Sequence, residues 1–98
     1  MIEPQVTLDN ELSDRFTVVE VECLDRHGLL YDLTHAISEL NLDIASAHIA
    51  TFGEKAVDVF YVTDLTGKKI TSKSRESAIR ERLLKVLAAR HDPALLPA

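Results

Sequence analysis

The order of apolar and polar positions divides the chain into six segments. Gln5-Val6-Thr7-Leu8-Asp9 alternates polar and apolar residues, the period of a half-buried strand, and predicts a short edge strand. A polar turn over residues 10–14 follows. From about 15 to 24 a second strand places Val19, Val21 and Cys23 on one face and Glu20 and Glu22 on the other, because strand side chains alternate. Phe16 and Val18 share the glutamate face, so that face is expected to be only partly solvated. From Gly28 to about Leu40 the period lengthens. Leu30, Leu33, Ile37 and Leu40 fall on one helical stripe, with Asp32, His35 and Glu39 on the wet side. Asn41, which tolerates left-handed backbone, is expected to end that helix.

Two further strands, about residues 43–51 and 55–64, flank Phe52-Gly53-Glu54, a hairpin signal. A turn over residues 64–68 follows, and Ile70 is expected to extend the preceding element briefly. The last helix starts near Ser72 or Ser74, either of which can cap it. Ile79, Leu83, Val86 and Leu87 form its buried stripe. Glu76 with Arg80, and Glu81 with Lys85, stand in the favourable i, i+4 orientation. Residues 91–98 carry two prolines and are expected to be a flexible tail behind one domain over residues 4–90.

The predicted order is β-β-α-β-β-α. It implies an α+β two-layer sandwich, with two helices on one face of a four-stranded antiparallel sheet. Both hairpin strands carry apolar residues on both faces, and helices can cover only one. The other face, or an edge, is therefore expected to take part in dimerisation or in docking on another domain.

Composition narrows the function classes. The formal charge of −5 and the absence of tryptophan argue against nucleic acid, which needs a basic footprint and stacking platforms. No apolar run approaches the roughly 20 residues of a membrane span. The single cysteine, Cys23, excludes an internal disulfide and fits a reducing cytoplasm.

The chemistry-bearing segment is Leu24-Asp25-Arg26-His27-Gly28-Leu29-Leu30, where the strand period gives way to the helical one. Gly28 lets backbone approach a ligand, and the helix start offers unpaired N–H groups and a positive dipole end. A carboxylate beside such donors suits a zwitterion. The backbone N–H groups of Gly28, Leu29 and Leu30 would take the carboxylate of an amino acid. Asp25 has two readings, a ligand for the ammonium or a simple helix cap. Arg26 either steers anions to the loop or is solvated. His48 and Asp58 fall opposite each other if the hairpin closes with three residues, and then form a cross-strand pair. His35 and Glu39 have metal-ligand spacing, but without a third ligand they read as a solvated face, so no metal site is expected. Cys23 reads as a small packed hydrophobe, and Tyr31 as a helix-packing residue. No catalytic residues are expected.

The loop, the run Leu42-Asp43-Ile44-Ala45-Ser46-Ala47-His48-Ile49-Ala50-Thr51, and the run from Ala56 to Gly67 together resemble the ACT domain family, over about residues 4 to 87. The resemblance implies a ferredoxin-like fold and amino-acid binding by a regulatory module. The subgroup it is most similar to sits at the C-terminus of cytoplasmic bacterial nitrogen-sensing enzymes that uridylylate and de-uridylylate the PII protein. It implies glutamine as ligand, with Asp25, Arg26, His27, Gly28, Leu29, Leu30 and Asp43 at the site. It also implies a homodimer or packing on a tandem ACT domain. The chain itself would need no cofactor; a divalent metal such as Mg would serve catalytic regions outside these residues. The family loop usually has proline where this chain has His27, which leaves the loop less rigid. The family also usually ends in a strand after the second helix. No strand signal follows here, so the 5–9 strand is expected to occupy that edge. A ligand-free dimerisation or packing module, or the regulatory domain of another amino-acid-metabolism protein, is the competing reading. An acylphosphatase-like enzyme, which shares the fold type, would need a phosphate-cradling Arg/Asn loop that this sequence lacks.

Overall fold

The computed structural model describes residues 2–89. The expected tail, residues 91–98, lies outside the described residues. Six elements run in the order β1 (Gln5–Asp9), β2 (Thr17–Leu24), α1 (Leu29–Glu39), β3 (Leu42–Phe52), β4 (Lys55–Asp64) and α2 (Lys73–Ala89). The sheet order is β1-β2-β4-β3, antiparallel at every pairing. The strand β4 is thus inserted between β2 and β3, whose crossover is α1, the split βαβ pattern of ferredoxin-like folds. As expected, β1 hairpins onto β2 and takes the sheet edge, with Val6 opposite Val21.

The core lies between the helices and one sheet face. Val19, Val21 and Cys23 are fully covered there, opposite Phe60, Asp58 and Ala56 of β4. Leu33, Ile37, Ile79, Leu83 and Leu87 close it from the helix layer. Val18, on the opposite face, is only 3% exposed, so that face is indeed not wholly solvated.

Four local expectations need correction. In α1 the buried stripe is Leu29, Leu33, Ala36 and Ile37, while Leu30 is 44% exposed. Two adjacent leucines satisfy either helical phase, and Ala36 completes the one that faces the sheet. Tyr31 is 69% exposed and stacks on His35 rather than packing into the core. Ile70 does not extend a strand; it is buried, and its N–H donates to Thr17 Oγ1 at 2.9 Å. Neither i, i+4 pair on α2 forms among the described residues. Glu39 of α1 instead binds Arg82 across the helix interface and lies 3.5 Å from His35. Arg75 crosses the same interface to the carbonyls of Leu40 and Asn41.

The element ends follow local chemistry. Asn41 adopts φ 60°, the left-handed stop for α1. Ser72 caps α2, its Oγ accepting from Arg75 N–H at 3.3 Å. In β3 a bulge falls between Ile44 and Ser46, so Ile44 faces the core while Ser46 faces the open side beside Tyr61.

Candidate functional site

The strand β2 delivers the loop to one end of the sheet. Asp25 N–H donates to the Glu54 carbonyl at 2.8 Å, which ties the loop to the tip of the β3–β4 hairpin. Gly28 stands at the N-cap with φ 78°, a conformation that side chains strain to adopt. No side chain caps α1, so the capping reading of Asp25 is not the one observed; its side chain is exposed. The N–H of Leu29 reaches the Arg26 carbonyl at 3.4 Å, and Asp32 N–H closes the first helical bond on Gly28 O at 3.0 Å. The N–H groups of Gly28, Leu30 and Tyr31 have no hydrogen-bond partner among the described residues. Two of the three expected donors, Gly28 and Leu30, are therefore open, and Tyr31 joins them. The buried Leu29 side chain anchors the turn in the core.

Arg26 is held against this turn. Its Nη1 donates to the His27 carbonyl at 3.1 Å, and its Nη2 lies 2.9 Å from Asp32 Oδ2. The guanidinium thus reinforces the helix start rather than standing free in solvent. His27 is exposed on the loop. Asp43 is exposed too, but it pairs with Thr63 at the other end of the sheet, so one chain does not bring it to the loop.

The His48–Asp58 pair does not form. The hairpin closes with two residues, Gly53 and Glu54, between Phe52 and Lys55; Gly first in such a loop, here at φ 62°, is the sequence signal for it. A one-residue change of register sends a side chain to the other face. His48 therefore faces Val59 on the open side, edge-on to Tyr61, whereas Asp58 faces Ile49 and Val21 on the core side.

Asp58 is the unexpected member of this neighbourhood. It is 2% exposed, and its Oδ1 has no hydrogen-bond partner among the described residues. Burial, and then the negative charge of Asp25, push its carboxyl above the ordinary carboxylate range. Burial and the Asp58 charge likewise push up the Cys23 thiol, which suits the inert packing expected of it.

The Asp58 shift has a definite sign in stability. A folded-state value above the unfolded one means the folded chain holds an extra proton between the two, so stability falls as pH rises through that window. Asp58→Asn removes this linkage. Its stability relative to the parent is expected to rise from acid towards neutral pH, as read by chemical denaturation at a series of pH values. A constant offset between the two curves would contradict this.

Among the described residues no group of three His, Cys, Asp or Glu side chains could hold a metal ion. No helix among them is long and apolar enough to cross a membrane.

The chain matches known proteins along almost its whole length. The family model of the ACR9-like, ACT-like domain matches residues 5–90. A bifunctional uridylyltransferase/uridylyl-removing enzyme of Bradyrhizobium diazoefficiens is 61% identical over 98 residues, all of this chain and 10% of that protein. The enzymes of the same name from Rhodopseudomonas palustris and Nitrobacter winogradskyi are 61% and 60% identical over 90% and 91% of this chain, again 10% of each relative. The chain thus spans about a tenth of the length of these curated relatives. In fold, it is similar to the crystal structure of an unknown protein from Galdieria sulphuraria, with a TM-score of 0.52 at 22% identity, covering 83% of this chain and 40% of that one. With its edge-swapped ferredoxin-like sheet and its open loop at the start of α1, this chain belongs to the ACT-like domain family.

Proposed function

We propose that this chain is an amino-acid-sensing regulatory domain, with glutamine as its ligand, of a cytoplasmic enzyme that uridylylates and de-uridylylates the PII protein. The observation that carries the reading is the row of open N–H groups at Gly28, Leu30 and Tyr31 beside the exposed Asp25 carboxylate. Helix N-termini favour anions, so these donors suit the ligand carboxylate. Asp25 is assigned to the ammonium side. The high identity to uridylyltransferase/uridylyl-removing enzymes supports the choice of host enzyme. Catalysis then belongs to segments beyond this domain. A sensor acts only if glutamine binds one domain arrangement better than another, since equal binding shifts nothing.

The site is completed across an interface in this reading. Asp43, remote from the loop within one chain, reaches a ligand only if a second copy or a tandem ACT domain brings it there. The edge strand β3 is exposed along most of its length, and Ile49 and Phe52 on it are 50% and 66% exposed.

Glutamine at about a hundred times its Kd should stabilise the chain by about 2.7 kcal/mol, a rise in Tm of roughly 10–20 °C for a domain of this size. Asp25→Ala should lose most of that rise while keeping the parent's oligomeric state in sedimentation. An unchanged rise in the variant would remove Asp25 from the site. No rise in the parent, alone or joined to a tandem ACT domain, would remove glutamine.

The second reading is a packing module that binds no metabolite. It is favoured by the open sheet face, where Thr7, Asp9, Leu12, Val18, Glu20, Val59 and Tyr61 line a groove of about 340 Å3. Leu12 there is 72% exposed and gives the groove an apolar rim. Self-association without any ligand-dependent change in Tm would select it.

A further inference from the structure

Asp58 presents an anomaly that folding alone does not resolve. A buried polar atom normally has a partner, and leaving one unpaired costs stability. Asp58 Oδ1 has none among the described residues, and no Lys, Arg or His side chain among them forms an ion pair with it. The cation closest in sequence to the loop, Arg26, is turned to the His27 carbonyl and Asp32 instead. The other carboxylate near it, Asp25, makes matters worse for a resident anion, because like charges repel.

The position of Asp58 matters as much as its burial. It lies on the helix side of β4, beneath the layer that α1 closes. Its register partner on β3 is Ile49, which is half exposed, and β3 is the last strand of the sheet. One edge strand therefore separates the carboxylate from solvent on that flank. The α1 start carries its open N–H donors on the same end of the domain. Anion-seeking donors and an unpaired buried oxygen are the two halves of a zwitterion site.

We propose that the Asp58 carboxylate is the ammonium subsite of the amino-acid site, seated behind the loop and completed by the α-ammonium of the bound ligand. This rests on the amino-acid reading given above and adds, behind Asp25, a second carboxylate that helps discriminate an amino acid from a simple carboxylic acid. The ligand carboxylate takes the open N–H groups of Gly28, Leu30 and Tyr31. Its ammonium supplies Asp58 with the donors that the described residues withhold. Asp25 adds negative potential from the loop and draws the same cation inward. A ligand without the ammonium would leave Asp58 as unpaired as before, and so would gain nothing from it.

The test is calorimetric titration of the full 98-residue chain and of Asp58→Asn with glutamine and with its des-amino analogue, 4-carbamoylbutanoate. Loss of a charge-assisted hydrogen bond should weaken glutamine binding about tenfold or more in the variant. The analogue should bind the parent at least about tenfold more weakly than glutamine does, and bind the variant as it binds the parent. Equal weakening of both ligands would reduce Asp58 to a structural role and overturn the inference, as would unchanged glutamine binding. Either result would leave the sensing reading intact. A parent chain that binds no amino acid, alone or joined to a tandem ACT domain, would instead overturn the sensing reading, and this inference with it. A second measurement needs no variant. The midpoint of the Asp58 carboxyl-carbon titration, followed by NMR, should fall when glutamine saturates the parent, because an adjacent ammonium favours the ionised form. A midpoint that ignores saturating glutamine would overturn the proposal even if Asp58→Asn does not fold.

Discussion

Phe60→Ala is expected to cost about 3–5 kcal/mol of stability, the usual range when a fully buried aromatic side chain is truncated. Phe60 is 0% exposed on the inner face of β4, with Val19 of β2 and Ala47 of β3 as its register partners. It belongs to the one cluster shared by both helices, so no neighbouring side chain can fill the space without moving an element. Against a total of about 5–15 kcal/mol for a domain, this approaches unfolding. Urea denaturation should show the midpoint falling with the slope preserved, which identifies lost stability rather than a changed unfolded state. A loss below about 1 kcal/mol would mean that the core relaxes around the gap. The contrast with Asp25→Ala is informative. The loop variant should keep its Tm and lose ligand response, whereas Phe60→Ala should lose both, because the loop has no stability of its own apart from β2 and α1.

That contrast explains what the sequence could reveal. The alternation Val19, Val21, Cys23 against Glu20, Glu22 allows only one inward face, and the structure buries that face. The edge position of β1 was legible too, in its short alternating run and the polar turn that hairpins it onto β2. The loop was legible because Gly28 falls where one period stops and another starts. What failed were choices between near-equal registers. Phe52-Gly53-Glu54 supports a two-residue or a three-residue hairpin loop, and that single residue decides whether Asp58 faces His48 or the core. Leu29-Leu30 supports two helical phases in the same way, and only packing against the sheet selects Leu29. For this reason the sequence reads Asp58 as a cross-strand partner of His48 rather than as a core-facing carboxylate. Its significance depends on burial, which no local pattern announces.

Long-range polar pairing is the other class that local pattern does not show, and Thr17 carries the largest instance. Thr17 is 0% exposed at the start of β2. Its Oγ1 donates to Asn10 Oδ1 at 2.6 Å and accepts the Ile70 N–H at 2.9 Å. Asn10 Nδ2 in turn donates to the Ile70 carbonyl at 2.8 Å, and Lys69 Nζ donates to the Asn10 carbonyl at 2.8 Å. The β1–β2 turn is thereby bonded to the connection that leads into α2, about sixty residues away. Thr17→Val keeps the shape of the side chain and deletes its hydroxyl. It leaves the buried Ile70 N–H and the half-buried Asn10 Oδ1 unpaired; at about 1–3 kcal/mol for a buried unsatisfied group, and less for the half-buried one, the expected loss is about 2–4 kcal/mol. Thr17→Ser keeps the hydroxyl and should lose much less. Asn10→Ala should be costly alone but add little to Thr17→Val, because both remove the same network. Additive losses in that double-mutant cycle would show the bonds acting independently. A loss below about 0.5 kcal/mol for Thr17→Val would show that water replaces the hydroxyl. The network sits at the end of the sheet opposite the loop, so ligand response per folded molecule should survive all three substitutions. The fold is tied at one end by this polar knot, whereas among the described residues the loop end keeps open donors at Gly28, Leu30 and Tyr31 and a buried Asp58 oxygen without a partner.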